Sequence, residues 1–178
     1  MKNLKSKRKV STVLALDVVG YSRLMEAGEE AAHEKLMALR SSLLIPRVEQ
    51  HGGRVVKHTG DGFLATFDEA VEAARSAISI QKELTFNTLQ ESEAEKIVLR
   101  MGLHLCDTIV EEEDIYGEGI NIVSRLYTYA EPGDIVISDS LATVVLGAFP
   151  DINVLDLGEL HLKNIRKPIH AYSLRIGS

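Results

Sequence analysis

Asp17 and Asp61 are the residues best placed for chemistry. Asp17 stands near the end of the apolar run Val10 to Val19 and is followed by Gly20, Tyr21 and Ser22. Asp61 is flanked by Gly60 and Gly62 inside Arg54 to Phe67, two stretches rich in Val, Thr and Phe. Glycine lets backbone come close to a ligand, and two carboxylates at the ends of buried strands would together hold hard cations such as Mg²⁺. A plainer reading fits each aspartate alone, because Gly-Asp-Gly between β-favouring runs is also good hairpin-turn chemistry. The metal reading therefore needs a fold that makes the two neighbours.

Other polar residues gain meaning from spacing. Lys57 precedes Asp61 by four positions, near the same tip, as a directed donor or an ordinary solvated strand lysine. Asn121 and Arg125, at i and i+4, share a helix face with Glu118 and Thr128, a polar stripe amid Ile120, Ile122, Val123, Leu126 and Tyr127. Asp114 follows Glu111 to Glu113, which read as a solvated acidic turn, and Lys163 alone reads as a surface lysine. The six histidines show no metal-ligand spacing, and there is no His-x-x-x-His, Cys-x-x-Cys, Gly-x-Ser-x-Gly or Walker-type phosphate loop.

The elements that must position these groups follow from periodicity. Val10 to Val19 predicts a buried strand, and Ser22 to Gln50 a helix with Leu36, Leu39, Leu43 and Leu44 on one face, kinked or ended by Pro46. Arg54 to Phe67 predicts a hairpin. Asp68 is the expected N-cap of a helix carrying Val71, Ala74, Ile78, Gln81 and Leu84, and Thr85 to Lys96 an expected surface loop. Ile97 to Val110 predicts a long strand bent at Gly102. A helix from about Ile120 to Ala130, a turn at Glu131 to Asp134, a strand at Ile135 to Ser138, a helix to Leu146 stopped by Gly147, and two strands within Asn153 to Ile176 complete the chain. Through Val110 the order is strand, helix, strand, strand, helix, strand, the α+β ferredoxin-like βαββαβ plan. That plan sets the first strand beside the middle hairpin, and with it Asp17 beside Asp61.

At 178 residues the chain is long enough for one domain with a core that needs no covalent staples. Its single cysteine, Cys106, has no partner in the chain and reads as a small buried strand residue in a reducing compartment. A net charge of −6 argues against a nucleic-acid surface, and no apolar run is long enough to span a membrane. The expectation is a cytoplasmic domain over 10–176 with a basic, solvated tail over 1–9.

Four stretches in order resemble the successive motifs of class III nucleotidyl cyclases, in the form of bacterial adenylate cyclase domains. They are Asp17-Val-Val-Gly20-Tyr21-Ser22, Lys57-His-Thr-Gly60-Asp61-Gly62, Asp114-Ile-Tyr-Gly117-Glu-Gly-Ile-Asn121-Ile-Val-Ser-Arg125 and Leu162-Lys163-Asn-Ile-Arg-Lys-Pro168. The resemblance covers about Val10 to Ile176. It implies conversion of ATP to cyclic AMP and pyrophosphate, with Asp17, Asp61 and the Val18 carbonyl binding two Mg²⁺ or Mn²⁺ ions. Amides around Gly20, Tyr21 and Ser22 would cradle phosphates, Arg125 would stabilise charge on the α-phosphoryl group, Asn121 would orient the ribose and Lys163 would hold the terminal phosphates. Lys57 and Asp114 would read the base: one donor and one acceptor match the N1 and N6 edge of adenine, whereas guanine reverses that edge.

The same resemblance implies a homodimer whose two active sites each draw on both subunits. The alternatives are a catalytically silent nucleotide-binding or dimerisation module of the same fold, and a guanylate cyclase. A diguanylate cyclase or polymerase-palm enzyme lacks its Gly-Gly-Asp/Glu-Glu-Phe signature here. A receiver domain around Asp17 would need a doubly wound parallel sheet, which the adjacent hairpin strands contradict.

Overall fold

The computed structural model describes residues 7–111 and 114–176. Its organising strand is β1 (Lys7–Val18), in which Leu14, Leu16 and Val18 face one side and Val13 and Ala15 the other, all essentially buried. A strand apolar on both faces belongs in the middle of a covered sheet. β1 accordingly pairs antiparallel with β3 (Gly62–Phe67) on one side and β4 (Leu99–Glu111) on the other. β2 (Arg54–Thr59), β5 (Asp114–Tyr116), β6 (Ile135–Ser138), β7 (Val154–Leu160) and β8 (Ile169–Leu174) complete the sheet. The strand order is β2-β3-β1-β4-β6-β8-β7, with β5 paired to β4. Its first four strands have the ferredoxin-like arrangement expected; β6 then joins β4 in parallel, and β8 and β7 extend the sheet antiparallel.

The two faces are covered unequally. On one lie α1 (Tyr21–Ala27), α2 (Glu29–Leu39), α3 (Ile45–Gln50), α4 (Ala70–Asn87) and α6 (Asp139–Ala148), whose Leu36, Val48, Ala77, Ile80 and Val145 pack with Leu14, Leu16, Phe63 and Met101 in the main core. On the other, the described residues place α5 (Glu118–Leu126) and a 3-10 turn (Tyr127–Tyr129) over two smaller clusters.

Several boundaries differ from the sequence expectation. β1 begins at Lys7, inside the segment read as a tail, because Lys7–Lys9 pair with Thr108–Val110. The helix expected over Ser22–Gln50 is broken at Gly28, and a π-helical turn (Arg40–Leu44) precedes α3. Pro46 follows the π-helical turn directly and the backbone stays helical across the junction, so it marks an irregularity in the helix without ending it. Asp68 does not cap α4; it pairs with Lys9 and leaves Glu69 at the cap position. α4 runs three residues into the expected loop, to Asn87. Gly147 lies within α6, whose cap is Phe149. β4 keeps an unbroken register with β1 through Gly102, where a Cβ would come within 3.0 Å of the Tyr127 backbone nitrogen, so the glycine admits the 3-10 turn.

One buried group makes stability pH-dependent. The His104 imidazole on β4 lies with Nδ1 2.6 Å from the Ser138 hydroxyl, and burial pushes its pKa from 6.5 down to about 4. Below 6.5 the unfolded chain gains a proton that the folded one refuses until about 4, so stability present above 6.5 is lost as pH falls. We expect a loss of ~2–3 kcal/mol between about pH 7 and about pH 4.5 from this group. Urea unfolding at the two pH values checks it: His104→Gln should flatten the acid limb, and an unchanged limb would exclude His104 as its source.

Candidate active site

The hairpin tip is pressed against the end of β1. Thr59 pairs with Gly62, which leaves Gly60 and Asp61 as a two-residue turn, with Gly60 at φ 54°. At Gly62 a Cβ would fall 1.8 Å from the Leu16 carbonyl oxygen and 3.0 Å from Asp17 Cα, so only glycine lets the two backbones meet. Asp61 is thereby brought beside Asp17. Burial raises the Asp61 carboxyl above its ordinary pKa and the Asp17 charge raises it further, while neighbouring backbone and the Arg100 charge oppose the rise.

Arg100 answers that negative charge. It faces Asp17 across the β1–β4 ladder, with Nη2 2.8 Å from Oδ2 and Nε 3.2 Å from Oδ1, a bidentate pair that raises the guanidinium pKa further. The Tyr127 ring lies against it, 5.5 Å from ring centroid to Cζ. Sequence reasoning missed both residues. Arg100 could have been found only from the β1–β4 register, and Tyr127 reads as one more apolar position of the helix.

The donor set suits a hard cation. Among the described residues no three His, Cys, Asp or Glu side chains cluster as metal ligands. Two carboxylates are nonetheless what Mg²⁺ takes from a protein when substrate phosphates and water complete its shell. Such an ion would relieve the mutual repulsion of Asp17 and Asp61.

A second group of residues gathers on α5. Gly119 lies so close to β4 that a Cβ would fall 1.9 Å from Cys106 Cβ, which seats the helix directly on the strand. The Cys106 thiol beneath it is pushed up to about 12 by burial, as expected of an inert packing residue. Ile122, Val123 and Leu126 face inward, leaving Asn121 and Arg125 on the exposed side. Leu162, 4 % exposed, packs with Ile122 and Leu126 and anchors the loop that carries Lys163, next to Asn164 at φ 64°. Among the described residues, no side-chain hydrogen bond or ion pair links Asn121, Arg125 or Lys163 to Asp17 or Asp61.

Of the remaining positions, Gly20, Tyr21 and Ser22 adjoin the first set. Gly20, with φ 64°, turns the chain from β1 into α1, where Tyr21 leans on the core and Ser22 is exposed. Lys57 is exposed on β2 next to a bulge in that strand, and β5, which Asp114 begins, approaches β2. The Asp114 side chain lies outside the described residues.

Comparison with known proteins follows the same lines. The model of the adenylate and guanylate cyclase catalytic domain matches residues 3–176. A Rhizobium meliloti (strain 1021) protein named "Putative adenylate cyclase 3" is 41 % identical over 167 residues, which is 94 % of this chain and 28 % of that relative. The chain thus spans little more than a quarter of that relative's length. The crystal structure of an adenylate/guanylate cyclase/hydrolase from Silicibacter pomeroyi superposes with a TM-score of 0.88 at 36 % identity, covering 94 % of this chain and 97 % of that one. The adenylyl cyclase CyaB from P. aeruginosa shares the fold, with a TM-score of 0.83 at 24 % identity over 96 % of each chain. With the family matched over nearly the whole chain and its sheet topology reproduced, this chain belongs to the class III adenylate and guanylate cyclase catalytic domain family.

Proposed function

We propose that the domain over 10–176 is an adenylate cyclase that converts ATP to 3′,5′-cyclic AMP and pyrophosphate as a homodimer. The observation that carries the reading is the forced approach of Asp61 to Asp17, a built pair of carboxylates at the end of the central strand. Asp17, Asp61 and the Val18 carbonyl hold two divalent cations, Mg²⁺ or Mn²⁺. When bound, these ions withdraw charge from the phosphates and acidify the ribose 3′-hydroxyl. The 3′-oxygen, giving its proton to water, forms its bond to the α-phosphorus as the bond to the bridging oxygen of pyrophosphate breaks. The reaction needs the attacking and leaving oxygens in line, which Asn121 enforces by holding the ribose. Arg125, a planar multi-donor cation, binds the charge that develops on the α-phosphoryl oxygens, and Lys163 binds the terminal phosphates. Backbone amides at Gly20, Tyr21 and Ser22 complete the phosphate cradle.

The exposure of Asn121 and Arg125 supports the shared-site reading. Asn121 and Arg125 lie exposed on the sheet face that α5 covers, a surface onto which a second subunit can bring its own aspartates. No helix of the described residues is long and apolar enough to cross a membrane. The net charge of −6 supports a small-molecule substrate over a nucleic acid. We place the activity in the cytoplasm, where ATP is supplied.

Base choice is assigned to Lys57 and Asp114. Lys57→Glu combined with Asp114→Cys should depress ATP use far more than GTP use, because an edge left unpaired in a hydrogen-bonding pocket can cost about 10⁴-fold. Cyclic product from ATP and GTP, assayed side by side across protein concentration with Mn²⁺, is the measurement. An unchanged ATP/GTP ratio would remove these two residues from base reading. Absence of cyclic product at every concentration would favour a catalytically silent module of the same fold.

A further inference from the structure

Asp17 holds Arg100 in a bidentate pair that takes one lone pair of each carboxylate oxygen and sets a positive charge where a divalent ion would bind, so the two cations compete for it. Both Oδ atoms of Asp17 are engaged, at 2.8 and 3.2 Å. Arg100 is also fixed from behind. Its guanidinium rests on the Tyr127 ring at 5.5 Å, and the side chains of Arg100 and Asp17 are only 28 % and 13 % exposed. Tyr127 is held in turn by its backbone, which closes on Gly102 two residues along β4. Three elements, β1, β4 and the 3-10 turn, thus converge on one cation that sits where a metal ion would otherwise draw on Asp17.

We propose that Arg100 is the internal counter-cation of the carboxylate pair, held on Asp17 by Tyr127, and that Asp17 must give up Arg100 to take a divalent ion. This rests on the reading of Asp17 as a metal ligand. Its physical basis is competition. A planar guanidinium with two parallel N–H···O bonds is among the stronger partners a carboxylate can have, and a ring face under the cation adds to its hold. Without Arg100 the site would carry two adjacent carboxylates and no compensating charge. With it, the cation-free site is stable and its affinity for divalent ions is held down. Tyr127 is a positioning residue in this scheme: it touches neither substrate nor metal and acts through Arg100.

The test reads binding without turnover. Mn²⁺ affinity of the nucleotide-free full chain is measured by electron paramagnetic resonance. In parallel, the Arg100 Nε–H is followed by ¹⁵N NMR during Mg²⁺ titration and is identified by its loss in Arg100→Met. Tyr127→Ala should raise Mn²⁺ affinity about fivefold, the scale of one cation–π contact, and Arg100→Met should raise it further. Tyr127→Phe, which keeps the ring, should restore the wild-type value, a rescue that a merely structural role of the hydroxyl would not give. In the wild type the Arg100 signal should lose its protection as Mg²⁺ binds. Unchanged or weaker Mn²⁺ binding in both Tyr127→Ala and Arg100→Met overturns the proposal, as does an Arg100 signal indifferent to saturating Mg²⁺. A wild-type protein that binds the ion but makes no cyclic nucleotide would sink the proposed function and leave the exchange standing.

Discussion

Asp17→Ala and Asp61→Ala should each leave a folded protein without measurable cyclase turnover. A single oxyanion donor is worth about 10²–10³ in rate, and a carboxylate that holds a catalytic cation supports more than one such contact, so a loss on the order of 10³ or greater is expected. The fold should survive, because neither side chain belongs to the hydrophobic clusters. Asp61 in fact opposes folding at neutral pH. Its folded pKa is raised, so ionising it costs more in the folded than in the unfolded chain, and that cost is present above the folded pKa and vanishes below the unfolded one. Asp61→Asn in cation-free buffer should therefore melt no lower than the parent. Cyclic product measured with saturating Mn²⁺, beside a thermal melt, checks both statements, and near-wild-type activity in either alanine variant would refute the two-cation assignment.

Mixing Asp17→Ala with Arg125→Ala should bring activity back. If each site takes its aspartates from one subunit and its arginine from the other, every site in either variant homodimer lacks one part. In a mixed dimer one site lacks both and its twin is whole. Random exchange makes half the dimers mixed and half their sites intact, so about a quarter of wild-type activity should return. Asn121 and Arg125 lie exposed on α5 with no hydrogen bond or ion pair to Asp17 or Asp61 among the described residues, which is the arrangement the shared-site reading requires. No recovery, with exchange demonstrated by an independent label, would place both residues in one subunit's site.

What could be read from the sequence were features that depend on short windows. The approach of Asp17 to Asp61 followed from two strand ends, two flanking glycines and a strand order that local periodicity reveals. The strand at Ile135–Ser138 agreed to the residue, since its buried apolar run is bounded by a turn on one side and by a helix on the other. Features set by distant partners could not be read. Asp68 resembles a helix cap until Lys9, far along the chain, takes its carboxylate. Pro46 resembles a helix breaker, yet the helical backbone runs through the π-helical turn before it into α3. Gly102 gives no local sign of the 3-10 turn whose backbone occupies the space its absent side chain leaves. Arg100 belongs with these: its place on Asp17 is fixed by the β1–β4 register, a pairing between residues 83 positions apart.

Gly62 has a consequence for inheritance. Because its missing Cβ is the clearance that lets the hairpin tip touch β1, the position accepts no side chain, however small. Every single-base change of a glycine codon that alters the residue yields either a residue with a Cβ or a stop. That codon thus has no silent missense neighbours, and a random mutation there would separate the aspartates while leaving both of them, and every other named functional residue, in place.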